Sequence, residues 1–192
     1  MKPILTLSKQ NNDEMLEYLE SLDFTKVKTR YVSDGWSAIS IQGYGDKKED
    51  ILKPGVLGSK TETTEIIQTE LYNQKELKPL KNILEEIPST FERVRIMKLN
   101  AGTTIQKHTD RIDKDFVNGK IVRFHIPLND NGNVVYFTWN KKDRTSHLCK
   151  TSIIYYLDVV SHHSVINKGL TDRYNLVVDV FVNQKIKELL NV

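Results

Sequence analysis

From Phe91 to Val182 the chain reads as a succession of short strands divided by turn chemistry, and this pattern restricts the fold more than any other feature. Strands are expected over Phe91–Leu99, Lys120–Leu128, Asn133–Trp139, His147–Leu157, Ser161–Asn167 and Arg173–Val182. Asn129-Asp130-Asn131-Gly132 and Lys141-Lys142-Asp143-Arg144 supply turns between neighbours. Ahead of this region, Asn11–Phe24 has helical spacing through Met15, Tyr18, Leu19 and Leu22. A second helix is expected over about Gln74–Ile87, with Leu77, Leu80, Leu84 and Ile87 as its buried stripe, Pro79 in its first turn and Pro88 ending it. Val27–Val32 and Trp36–Gln42 read as strands joined by Ser33-Asp34-Gly35, and Gln184–Leu190 as a closing helix. Tyr44–Lys60 is polar and carries several Gly and Pro, which predicts a long loop of the kind that serves as a lid. Many short strands after two helices fit a mainly β fold with flanking helices, a barrel or jelly-roll sandwich. With 192 residues and no compositional break, one domain over residues 1–192 is expected, the first 90 residues supporting a core carried by residues 91–182.

Composition removes several function classes. Lys plus Arg number 28 against 25 Asp plus Glu, a net charge of +3, and the lysines are scattered, so neither nucleic acid nor an anionic membrane is an expected partner. Cys149 is the single cysteine, which rules out an internal disulfide and a multi-cysteine zinc site. No apolar run approaches the ~18 residues of a membrane span, and the start is too weakly apolar for a signal peptide, so a soluble cytoplasmic protein is expected. There is no Gly-X-Ser-X-Gly elbow, and Cys149 sits in an expected strand with no evident base, which argues against a serine or cysteine hydrolase.

Three metal-ligand types stand out. His108 and Asp110 are separated by one residue, and in an extended chain such positions share a face. His163 lies on a later strand. Two imidazoles and one carboxylate on one face of an octahedral metal leave the remaining positions open, the arrangement of non-haem Fe(II) oxygenases, whereas closed zinc sites want a fourth protein ligand. His162 is the less favoured neighbour, because even spacing groups His163 with Val165 and Asn167. If Ser164–Asp172 forms a hairpin centred near Lys168, Arg173 stands opposite His163 on the adjacent strand, where its guanidinium would grip the far carboxylate of a keto-diacid chelating the metal. The other reading pairs Arg173 with Asp172 or Asp179 on the surface. Arg123 and His125 alternate with Val122, Phe124 and Ile126, so they line either an anion-receiving cavity or the wet face of an edge strand.

His108-Thr109-Asp110, Arg123-Phe-His-Ile-Pro-Leu128, His163-Ser-Val-Ile-Asn167 and Asp172-Arg-Tyr-Asn-Leu-Val-Val-Asp-Val180, in this order, resemble the aspartyl/asparaginyl β-hydroxylase family over about Arg93–Val182. The resemblance implies a double-stranded β-helix (cupin-like jelly roll) and an Fe(II)- and 2-oxoglutarate-dependent dioxygenase. Its substrate would be an Asp or Asn residue of a protein or peptide, or a free amino acid such as proline. It further implies that His108, Asp110 and His163 hold iron. Arg173 would take the distal carboxylate of 2-oxoglutarate, and Arg123 and His125 would meet 2-oxoglutarate or the substrate carboxylate. Asp110 aligns the chain with the microbial branch, since animal members lack the acid. Arg93–Leu99 offers no serine, so a contact that some members make to 2-oxoglutarate has no counterpart here. O2 would be the second co-substrate, and Trp36 or Trp139 could line the substrate side. The alternative is a cupin-type metal- or ligand-binding protein without turnover.

Overall fold

The computed structural model describes every residue except Gln10, Ser33, Leu57, Gly58, Lys60, Asn131 and Val192. Ser33 and Asn131 of the expected turns, and the end of the expected 44–60 loop, therefore lie outside the described residues. Among the described residues, twelve strands form two antiparallel sheets. The strands are β1 (Lys2–Thr6), β2 (Thr25–Lys26), β3 (Trp36–Gly43), β4 (Ile67–Gln68), β5 (Phe91–Leu99), β6 (Thr104–His108), β7 (Ile121–Pro127), β8 (Val134–Asn140), β9 (Asp143–Leu148), β10 (Ile153–Leu157), β11 (His163–Asn167) and β12 (Arg173–Phe181). The larger sheet runs β1-β10-β7-β12-β5-β3-β2 with β4 beside β3, and the smaller runs β6-β11-β8-β9. Helices α1 (Asp13–Ser21), α2 (Lys78–Glu85), α3 (Lys114–Val117) and α4 (Gln184–Leu190) complete it. This is the mainly β, helix-flanked jelly roll that the strand series predicts.

Side-chain alternation explains why the larger sheet is buried on both faces. On β12, Tyr174, Leu176, Val178 and Val180 join Val94 and Ile96 of β5 and Phe124 and Ile126 of β7 in one apolar cluster. Met15 and Leu19 of α1, Leu80, Ile83 and Leu84 of α2, and Ile186 and Leu190 of α4 complete that cluster. Burying a side chain such as Phe124 stabilises the fold by about 1.5–3 kcal/mol. The opposite face of the same strands carries Arg173, Asn175 and Asp179, Arg93 and Arg95, and Arg123 and His125. It looks across at the smaller sheet. The chain thus places its main apolar core outside the sandwich, while the interior combines smaller apolar clusters with these charged and polar groups.

Pro79 falls in the first turn of α2, and Asn183 caps α4 by accepting from the Ile186 amide at 2.9 Å. Three expectations need correcting. Val27–Val32 is not a strand: β2 precedes it, and only a Thr29–Val32 bridge remains. His147–Leu157 is two strands in different sheets, parted by a turn in which Ser152 adopts φ +58°. The third concerns the site. β11 pairs with β6 and β8 in the smaller sheet, whereas β12 pairs with β5 and β7 in the larger one. His163 and Arg173 are therefore not hairpin partners: residues 168–172 carry the chain from one sheet to the other.

Candidate metal centre

The candidate ligand pair is built by strand register. His163 of β11 stands directly opposite His108, the last residue of β6, so both imidazoles project on one face with ring centroids 4.2 Å apart. Asp110 lies two residues past His108, where its amide donates to the Val159 carbonyl at 2.8 Å. The ligand atoms of His108, Asp110 and His163 all lie within 4.8 Å of one another. Each imidazole is anchored through Nδ1, His108 to the Gln106 carbonyl at 2.7 Å and His163 to the Ser161 carbonyl at 3.0 Å. A carbonyl only accepts, so each Nδ1 carries the proton and each Nε2 keeps its lone pair for a cation. Burial, opposed by the nearby Asp110 charge, lowers the His163 pKa to about 4 and keeps the ring neutral. Tyr31 stacks on His108 at 4.6 Å and 22°. His162 is exposed, as its place in the alternation requires. His147, on the edge strand β9, bonds the hydroxyl of Thr138, the β8 residue paired with His163, at 2.8 Å.

Arg173 is 5% exposed and meets no carboxylate within ion-pair distance among the described residues. Asp172 pairs with Lys98 at 3.0 Å and Asp179 pairs elsewhere, so the surface-pair reading fails. Instead, Arg173 donates to the Tyr136 hydroxyl of the facing sheet at 2.6 Å, and its Nε is buried without a partner. Tyr136 also approaches His125 Nδ1 at 3.4 Å, and Asn175 Nδ2 lies 3.1 Å from the same nitrogen. His125 Nε2 and Asn175 Oδ1 are likewise buried without partners. Burial, with the charges of Arg123 and Arg173, drives the His125 pKa well below its ordinary value. A small cavity bordered by Pro127, Val134, Tyr136, Cys149, Arg173 and Asn175 adjoins this group. Orphaned buried polar atoms call for a ligand, and here an unpaired guanidinium and a neutral imidazole call for an anion.

Arg123 is already engaged. Its Nε donates to Asp179 Oδ1 at 2.7 Å, its Nη2 lies 3.2 Å from Asp179 Oδ2, and its Nη1 donates to Asp110 Oδ2. Arg93 and Arg95 each reach Asp179 Oδ2 at 2.8 Å. Burial opposes ionisation of Asp179, but Arg123, Arg93 and Arg95 outweigh it and hold its carboxyl well below the usual range. Lys53, from the expected loop, binds Glu92 at 2.7 Å, Asp113 at 3.3 Å and Asp115. Ile51 packs with Ala38, Met97 and Val177 against the inner face of the larger sheet. Sequence reasoning missed Tyr31, Tyr136, Asn175 and the role of Asp179. The last had a signal: a single carboxylate inside the apolar run Leu176–Phe181 must have cationic company.

A search of curated proteins found none that matches the chain. Among solved structures it resembles an oxidoreductase of the 2OG-Fe(II) oxygenase family from Burkholderia pseudomallei at 11% identity and TM-score 0.50, over 88% of this chain and 80% of that one. It also resembles a cupin domain from Bordetella pertussis at 13% identity and TM-score 0.36, over 50% of this chain and 88% of that one. The family model for aspartyl/asparaginyl beta-hydroxylase matches residues 8–182, which extends the likeness well beyond the four motifs into the amino-terminal half. The His-Asp-His donor set fits Fe(II), and the orphaned polar group beside Arg173 fits 2-oxoglutarate. The chain belongs to the aspartyl/asparaginyl beta-hydroxylase family and is a hydroxylase of the Fe(II)- and 2-oxoglutarate-dependent type.

Proposed function

We propose that this enzyme hydroxylates the side chain of a free amino acid, with His108, Asp110 and His163 holding the iron and Arg173 and His125 orienting 2-oxoglutarate. The observation that carries the residue roles is the pairing of two Nδ1-anchored imidazoles with a buried guanidinium that meets no carboxylate among the described residues. Ferrous iron with 2-oxoglutarate and O2 supplies oxidative decarboxylation to succinate and CO2 and delivers one oxygen atom to a substrate C–H bond. The protein's own contribution is positional. Tyr136 meets both Arg173 and His125, and Asn175 meets His125 as well, so that a cation and a neutral imidazole are fixed side by side to receive a carboxylate of the anion. His125 stays neutral, and Nδ1 faces the Asn175 amide, which leaves Nε2 as the free N–H.

The enclosure supports a small substrate. Both imidazoles are at least nine-tenths buried, and Ile51 and Lys53 cover the inner face beside Asp113. A peptide would need an open groove. The test is succinate release in air from a panel of free amino acids and of peptides containing the same residues. Free amino acids should stimulate it and peptides should not; stimulation by peptides alone reverses the substrate assignment. His163→Ala and Arg173→Ala should abolish release, and intact turnover in both would overturn the residue roles.

A further inference from the structure

We propose that Asp179 and Arg123 act as one positioning unit for Asp110: Asp179 fixes the guanidinium, and the guanidinium takes one carboxylate oxygen of Asp110 so that the other faces the imidazoles. The inference rests on reading the triad as the metal centre.

Geometry sets the division of labour. Asp179 is fully buried on β12, and Arg123 stands beside it in register on β7. Two nitrogens of Arg123 go to Asp179, Nε to Oδ1 at 2.7 Å and Nη2 to Oδ2 at 3.2 Å, a forked contact that fixes the guanidinium plane. The third nitrogen, Nη1, is thereby aimed at Asp110 Oδ2. Asp110 Oδ1 remains on the side of His108, 3.7 Å from its Nε2. Asp110 lies beyond the end of β6, so no strand ladder fixes its side chain. Without Arg123 the carboxylate is free to rotate or to present both oxygens. A lysine could not substitute, because a single ammonium cannot make the fork to Asp179 and the bond to Asp110 together. Arg93 and Arg95 also pair with Asp179 but make no hydrogen bond to Asp110 in the structure, which provides an internal control.

Coulomb's law and positioning make opposite forecasts. Removing a cation next to a metal ligand should tighten binding of a divalent ion if charge alone matters. Loss of a partner that orients a ligand should weaken it by about 10- to 100-fold. The experiment is anaerobic Mn(II) titration of the full chain, followed by the loss of the free Mn(II) paramagnetic signal, without co-substrate or turnover. Arg123→Met and Arg123→Lys should both bind Mn(II) about 10- to 100-fold more weakly than the wild type. Arg95→Met should bind no more weakly than the wild type. Thermal melts accompany each titration, and if Arg123→Met does not fold, Arg123→Lys, which keeps the charge, decides the matter. Wild-type or tighter affinity in the folded Arg123 variants overturns the proposal, as does equal weakening in Arg95→Met. His163→Ala separates the two readings. If it keeps wild-type affinity, the metal centre itself is misassigned and the positioning unit falls with it. If it loses Mn(II) while the Arg123 variants keep it, only the positioning unit fails.

Discussion

The Arg173 guanidinium donates to the Tyr136 hydroxyl at 2.6 Å across the gap between the two sheets, and no carboxylate among the described residues shares it. A buried cation held by a neutral hydroxyl alone is poised for an anion from solution. Truncating one member of a buried charged contact costs about 2–5 kcal/mol, so Arg173→Met should raise KM for 2-oxoglutarate at least about 30-fold. Tyr136→Phe removes one hydrogen bond to a charged group and should raise it about tenfold. Metal affinity should be unchanged in both. Initial rates of succinate release against 2-oxoglutarate concentration read the effect, and an unaltered KM in Arg173→Met would remove this residue from the co-substrate end.

Tyr31 is the one aromatic ring stacked on a ligand imidazole among the described residues, 4.6 Å from His108. The contact restrains a ring that also bonds the Gln106 carbonyl and packs against His163. Aromatic pairs of this kind contribute about 0.5–1.5 kcal/mol, so Tyr31→Ala should weaken Mn(II) binding by roughly 2- to 12-fold. Tyr31→Phe should restore it, because stacking needs the ring and not the hydroxyl. Equal affinity in the alanine variant would show that His108 is held without the Tyr31 ring.

The parts of this molecule that were legible in its sequence are those written in period two. Alternation gave β5, β7, β8, β11 and β12, and with them the inward side of His163, Arg173, Arg123 and His125. The His108-X-Asp110 spacing pointed to two candidate ligands, which the structure brings together with His108 ending β6 and Asp110 two residues beyond it. What stayed hidden depends on which strands are neighbours, and strand order leaves no local trace. Arg173 was expected beside His163 on a hairpin, yet the chain crosses between sheets after Asn167. Its hydrogen-bonding partner, Tyr136, is 37 residues away. β1 was missed because an exposed edge strand with Pro3 carries little apolar alternation. His147–Leu157 read as one strand because no Gly or Pro marks the turn, which is instead made by Ser152 at positive φ.

Lys53 fastens the 44–60 segment to the chain that follows Asp110. It contacts Glu92, Asp113 and Asp115, and burial's opposing effect is outweighed by these carboxylates, so its ammonium is held charged. Ile51 closes the adjoining apolar surface. Lys53→Met should therefore release the segment while leaving the strands intact. Hydrogen exchange of the amides at 50 and 51, which bond to carbonyls at 47 and 49, should quicken, whereas β5 and β12 keep their protection. Unaltered exchange in this segment would show that Ile51 and the Ser40–Lys48 backbone bond secure it without Lys53.

Asp179 makes acid stability a direct readout of the interior charge cluster. Burial disfavours its ionised form, but Arg123, Arg93 and Arg95 prevail and set its pKa well below the ordinary ~3.9 of an unfolded chain. A depressed folded pKa means that the stabilisation is fully present above about pH 4 and is lost as pH falls toward the folded value, because the unfolded chain takes up a proton that the folded one refuses. Asparagine has no such proton. Asp179→Asn should be less stable at pH 7 by about 3–5 kcal/mol, since three buried guanidiniums lose their common partner. Between pH 4 and 2, however, its unfolding free energy should fall less steeply than that of the wild type, by about 1 kcal/mol per pH unit. Urea unfolding at half-unit pH intervals measures both slopes. Parallel slopes would mean that the carboxyl titrates alike in the folded and unfolded chains, contrary to its three-arginine surroundings.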